Sequence, residues 1–135
     1  MKTPPTKQLY LKSIKGKGRG VFSTSNIPKG EVIEVCPVII IPTKEFSELS
    51  LTVLMDYSFY FNKGENMLSL TMGFGSMYNH KQYPNAVYLL DREQKQMTFT
   101  AHEDIKAHTE ICINYGGDYA IDYDKWFTDR NITPI

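Results

Sequence analysis

The apolar positions of this chain come in short bursts punctuated by glycine and proline, and no long stripe of helical period runs through them. "QLYLKSI" and "VFST" flank "KGKGRG", where Gly16, Gly18 and Gly20 alternate with cations; the pattern predicts two short strands joined by a turn. After "NIPKG", a turn closed by Pro28 and Gly30, "EVIEVCPVIII" is rich in β-branched residues and predicts a longer strand. Over 43–54 the pattern changes. Thr43 stands three residues ahead of Phe46 with acids in the first turn, which predicts a helix that Thr52 and Val53 weaken. "MDYSFYFN" is aromatic with partial alternation, and "KGEN" predicts a tight turn ahead of "MLSLTMGFG". "AVYLLDREQKQMTFTAHEDI" predicts a hairpin with "DREQKQ" at its solvent-exposed end. "TEICINYG" predicts a further strand with Ile111, Ile113 and Tyr115 on one face.

These elements add up to a mainly β chain of many short strands with few short helices, and 135 residues suit one domain. Fifteen basic residues balance fifteen acidic ones, which argues against nucleic acid as a direct substrate. Lys12, Lys15, Lys17 and Arg19 still form a local basic cluster. Cys36 and Cys112 are the only cysteines, too few for a four-cysteine zinc site or a disulfide scaffold, so no structural metal is expected. "MKTPPTKQLY" lacks an apolar signal core, and "VCPVIIIP" is too short to span a membrane. The expected location is cytoplasmic or nuclear, neither secreted nor membrane-bound.

Familiar chemical motifs are absent. "GKGRGV" lacks the Lys-Ser/Thr ending of a phosphate loop, although its backbone and cations suit a ligand bearing a carboxylate. His80, His102 and His108 do not fall at the spacing of a shared metal face. Cys36 sits in an apolar run, where a buried thiol is the default. Nine tyrosines are the more informative feature, because each ring packs while its hydroxyl donates or accepts a hydrogen bond. Tyr78 and Tyr115 stand out, each beside an unusual polar or glycine-rich junction. In "GFGSMYNHKQYPNA", over 73–86, Asn79 and Asn85 bracket "HKQYP"; turn-making accounts for much of this, but not for two such ties around His80 directly after an aromatic.

Three motifs in order, "KGKGRGVFSTSNIPKGEVI", "GSMYNHKQYPNA" and "DIKAHTEICINYG", resemble the SET-domain family of S-adenosylmethionine-dependent protein-lysine methyltransferases. The resemblance implies a compact SET-domain fold of short sheets with a C-terminal pseudoknot that joins the second and third motifs, a chain threading that general rules would exclude. It implies a leader over 1–8, a core over 9–119 and an aromatic segment over 120–135 that packs on the core.

By the same resemblance, Lys17, Gly18, Arg19 and Gly20 lie along the methionine portion of the donor. Tyr78, Asn79 and His80 belong to its seat, Asn85 braces the loop, and Tyr115 is the active-site residue. Tyr57, Phe59, Tyr60 and Tyr78 are candidates for a lysine channel. Trp126 and Phe127 would either fold over the adenine or form a hydrophobic staple. A lysine-bearing protein or peptide, such as a histone tail, is the implied partner. The zinc segment that often follows the domain does not occur, as in minimal members, and a homodimer would be one source of the missing wall. Lys81 departs from the family's usual Ser, and His108-Thr109 from its Ala-Gly-Glu/Asp turn; these departures keep a noncatalytic interaction module as the alternative.

Overall fold

The computed structural model describes residues 8–117. Trp126 and Phe127, with the segments 1–7 and 118–135, lie outside the described residues. The first two strands, β1 (Leu9–Ile14) and β2 (Gly18–Ser23), form an antiparallel hairpin in register from Leu9↔Ser23 to Ile14↔Gly18. Its turn is shorter than "KGKGRG" suggested. Gly16 and Gly18 take the left-handed region, at φ 84° and 82°, where a side chain would be strained, and from Gly18 onward the motif is already strand.

A five-stranded antiparallel sheet follows, built on the long strand β3 (Val32–Ile41). Its companions are β4 (Ser58–Asn62), β5 (Met67–Thr71), β7 (Ala86–Asp91) and β8 (Gln96–Ala101), in the order β4-β5-β3-β8-β7. The first part of β3 pairs with β8 as far as Pro37↔Gln96, and the rest pairs with β5 from Val38↔Thr71. The change of partner falls at Pro37, which has no N–H to give a ladder; its carbonyl accepts from the Met72 N–H at 3.0 Å. The predicted β7–β8 hairpin forms in continuous register from Ala86↔Ala101 to Asp91↔Gln96.

Over 43–54 only one turn of α-helix forms, α1 (Phe46–Leu49), with 3₁₀ turns on either side. The side chains explain the shortfall. Thr43 does not cap the helix, because its hydroxyl donates to the Glu65 carbonyl at 2.7 Å. Ser50 and Thr52 donate to the Ser47 and Leu49 carbonyls, each at 2.7 Å, in competition with the helical backbone.

The strand expected in "TEICINYG" is also shorter. Only β9 (Cys112–Ile113) is a strand, and it pairs in parallel with the equally short β6 (Asn79–His80). Its neighbour Ile111 forms an antiparallel bridge with Val21. Covered on both sides, Ile111, Cys112, Ile113 and Asn114 are all buried, so the expected one-sided alternation does not hold, as for other strands enclosed on both faces. The core beneath joins Ile111 and Ile113 to Val21, Ile27, Met97 and Phe99, with Cys36 buried as the sequence suggested.

The side chain of Asn85 clamps this crossing. Its Oδ1 accepts from the Cys112 N–H at 2.9 Å and its Nδ2 donates to the Glu110 carbonyl at 2.8 Å. Asn85→Ala therefore leaves two partly buried backbone groups without partners. It should lower unfolding free energy by about 1–3 kcal/mol, read as a fall in the urea midpoint; an unchanged midpoint would show that Asn85 does not hold the crossing.

Candidate active site

The parallel pair brings the second and third sequence motifs side by side. Lys81 extends it, its N–H donating to the Ile113 carbonyl at 2.9 Å. One step further, the Tyr115 N–H donates to His80 Nδ1 at 3.0 Å. A backbone N–H cannot accept, so Nδ1 is the acceptor here and neutral His80 carries its proton on Nε2. The two rings lie 5.2 Å apart between centroids.

Tyr115 is thus held through its backbone, and its hydroxyl is held as well, donating to the Tyr78 carbonyl at 2.8 Å. Burial pushes its phenol well above the ordinary value, and the Cys112 and Tyr57 side chains add to the shift. It stays neutral at physiological pH and acts as a hydrogen-bonding group rather than as a base.

Tyr78 is buried, its ring stacked on Phe99 with centroids 4.6 Å apart. Its hydroxyl donates to Glu34 Oε1 at 2.7 Å, and burial followed by the Glu34 charge raises its phenol well above the usual range. Glu34 was not anticipated from sequence; the available signal was one acid inside the apolar run "VIEVCPVIII". The β3–β8 register shifts between Val32 and Glu34, an irregularity of the kind that re-aims a side chain.

A cavity of about 550 Å³ opens beside Tyr115. All four channel candidates, Tyr57, Phe59, Tyr60 and Tyr78, line it with Tyr115 and Tyr88. Tyr57 and Tyr60 are partly exposed at 40% and 38%, whereas Tyr78 is buried. The Tyr88 hydroxyl, also missed from sequence, donates to the Tyr115 carbonyl at 3.3 Å.

Lys17, Arg19, Gly20 and Asn79 do not line this cavity and gather around Glu110 instead. Lys17 Nζ lies 3.2 Å from Glu110 Oε1. Asn79 Nδ2 donates to Glu110 Oε2 at 2.7 Å and to the Arg19 carbonyl at 3.1 Å. Gly20 is buried, and a Cβ there would stand 2.5 Å from Glu110 Oε2, so this glycine makes room for the carboxylate. At Gly18 the equivalent position is open, with nothing within 4 Å.

A family model described as SET domain matches residues 18–116. The chain belongs to the SET-domain family. A histone-lysine N-methyltransferase of Schizosaccharomyces pombe, specific for lysine 37 of histone H3, is 33% identical over 123 residues, 90% of this chain and 78% of the relative. A candidate histone methyltransferase of Plasmodium falciparum superposes with a TM-score of 0.66 at 32% identity, covering 85% of this chain and 98% of that one. Chaetomium thermophilum Polycomb Repressive Complex 2, in an autoinhibited conformation bound to S-adenosylmethionine, has the same fold: TM-score 0.68 at 22% identity, over 94% of this chain and 17% of that one. The enzyme class expected from sequence, a protein-lysine N-methyltransferase, agrees with this SET-domain membership.

Two departures from the SET pattern have local explanations. Lys81 is exposed and enters the crossing through its backbone. His108 takes the left-handed conformation, φ 64°, that a glycine adopts more easily. Its N–H donates to the Ser23 carbonyl at 2.8 Å, and its Nδ1 lies 2.7 Å from the Tyr10 hydroxyl.

Cys112, within the crossing, is pushed up to about 12 from an ordinary 9.0, by burial first and then by Glu110; burial moves Cys36 in the same direction. A raised folded value means that the unfolded chain loses its proton first. Stability is therefore fully present below about pH 9 and declines as pH rises toward 12. Urea midpoints measured from about pH 7 to about pH 11 should fall at the alkaline end, less steeply in Cys112→Ala. An identical slope in that variant would contradict the assignment.

Proposed function

We propose that the protein transfers a methyl group from S-adenosylmethionine to the side-chain amine of a lysine in a protein substrate, with a histone H3 tail as the first candidate. The observation that carries this reading is the neutral, doubly anchored Tyr115 at the inner wall of an aromatic cavity. The partly exposed rings of Tyr57 and Tyr60 suit the methylene stem of a lysine, which packs well against aromatic faces while its amine reaches inward.

The residues present fit the methyl donor. Arg19 supplies positive charge for its carboxylate while Lys17 offsets Glu110 behind it, Gly18 offers open backbone, and the side-chain oxygen of Asn79 offers an acceptor. When bound, S-adenosylmethionine supplies an electrophilic methyl on a sulfonium. The protein's contribution is alignment, which replaces much of the entropic cost of a two-body encounter. The lysine must arrive neutral, since an ammonium has no lone pair, and the raised Tyr115 phenol does not remove its proton. Tyr115 and the Tyr78 carbonyl orient the amine, and solvent takes the proton. The Schizosaccharomyces pombe relative is named for lysine 37 of histone H3, which makes H3 peptides spanning that lysine the first to assay and implies a nuclear site of action.

Purified protein incubated with labelled S-adenosylmethionine and a panel of histones should label a lysine, located by mass mapping. No transfer to any protein and no binding of the donor would instead favour a noncatalytic interaction module on the same fold. Tyr115→Phe should slow transfer by about 10²-fold, the scale of losing one positioned hydrogen-bonding group in an active site, with its melting curve retained. Unchanged turnover in the folded variant would remove Tyr115 from the mechanism.

A further inference from the structure

Glu110 touches both the first motif, at Lys17, and the second, at Asn79. Its side chain is 16% exposed, and both oxygens are engaged: Oε1 by Lys17 Nζ at 3.2 Å and Oε2 by Asn79 Nδ2 at 2.7 Å. The second hydrogen of Asn79 Nδ2 goes to the Arg19 carbonyl at 3.1 Å. An Asn side chain has two orientations, related by exchange of its oxygen and nitrogen. Here only one is tolerable. The flipped amide would set its oxygen against a carboxylate oxygen and a carbonyl oxygen, two acceptors with no hydrogen to share. The carboxylate therefore locks the amide with its nitrogen inward. Among the described residues nothing donates to Asn79 Oδ1, and the atom is not buried.

Lys17 has a second effect. It neutralises the charge of Glu110, so that a carboxylate stands behind the seat without repelling an anionic group in front of it. Gly20 supports the arrangement sterically, because any larger residue would displace Oε2.

We propose that Glu110 is a positioning residue for the methyl donor, which it never touches: it fixes the orientation of the Asn79 amide so that Oδ1 faces outward as an acceptor selective for a hydrogen-bond-donating, cationic group. The proposal rests on the methyl-transfer reading above. It predicts that Glu110 governs donor binding, with little influence on the chemical step or on the lysine substrate.

Glu110→Gln is the discriminating variant. Lys17 draws the Gln oxygen, so the Gln amide nitrogen faces Asn79 Nδ2, donor against donor; the Arg19 carbonyl alone then favours the inward nitrogen, and the lock on the amide is lost. In the full chain, with S-adenosylmethionine and an H3 peptide, the donor KM should rise at least about tenfold, while kcat at saturating donor stays within about threefold and the peptide KM within about twofold. A folded variant whose donor KM stays within about twofold, or whose kcat and both KM values deteriorate together, overturns the proposal. A second measurement needs neither the variant nor activity. In the unliganded wild-type protein both Asn79 Nδ2 hydrogens should exchange slowly with solvent by NMR; exchange as fast as that of an exposed Asn shows that the lock does not exist. Since this readout involves no methyl transfer, it separates failure of the lock from failure of the enzymatic reading.

Discussion

Two residues paired in parallel with two others hold this molecule's site together. Asn79 and His80 run beside Cys112 and Ile113, and each functional contact described above is anchored at or next to that crossing. So short a ladder offers few backbone bonds of its own. Its permanence comes from the side chains around it: Asn85 clamps it, Asn114 reaches from its far end to the Gln82 carbonyl at 3.1 Å, and Ile111 and Ile113 are sunk in the core. Polar bonds in a buried setting are costly to break, so the crossing behaves as a rigid unit although it is irregular in form.

That rigidity separates two tasks. On one flank, Tyr115 is held between His80 and the Tyr78 carbonyl and faces an aromatic cavity. On the other, Glu110 gathers Lys17 and Asn79. Adjacent residues thus face the two flanks: Asn79 bonds to Glu110 on one and His80 to the Tyr115 backbone on the other. Glu34 plays the corresponding part from beneath, accepting from Tyr78 and so fixing the residue whose carbonyl orients Tyr115.

What could be read from sequence follows the range of the forces involved. The β1–β2 and β7–β8 hairpins and the long β3 were legible because β-branched runs and Gly/Pro turns act locally. The helix expected over 43–54 shrank to the single turn Phe46–Leu49 for an equally local reason, the competition of Thr43, Ser50 and Thr52 hydroxyls for carbonyls. The β6–β9 pair carries no periodicity at two residues each, and only family resemblance pointed to it. Glu34 and Tyr88 stayed hidden because their roles depend on partners more than twenty residues away. The aromatic stretch containing Tyr57, Phe59 and Tyr60 was visible as chemistry, but its convergence on Tyr115 belongs to the tertiary fold.

The order in which the crossing can be made has a consequence in the cell. Its later half, together with Glu110 and Tyr115, is synthesised after every strand of the central sheet. A nascent chain that ends with that sheet has most of the residues that line the aromatic cavity, yet lacks Glu110, Tyr115 and the core residues Ile105, Ile111 and Ile113. The proposed activity can therefore arise only after the third motif has been made and has taken its place between β2 and β6.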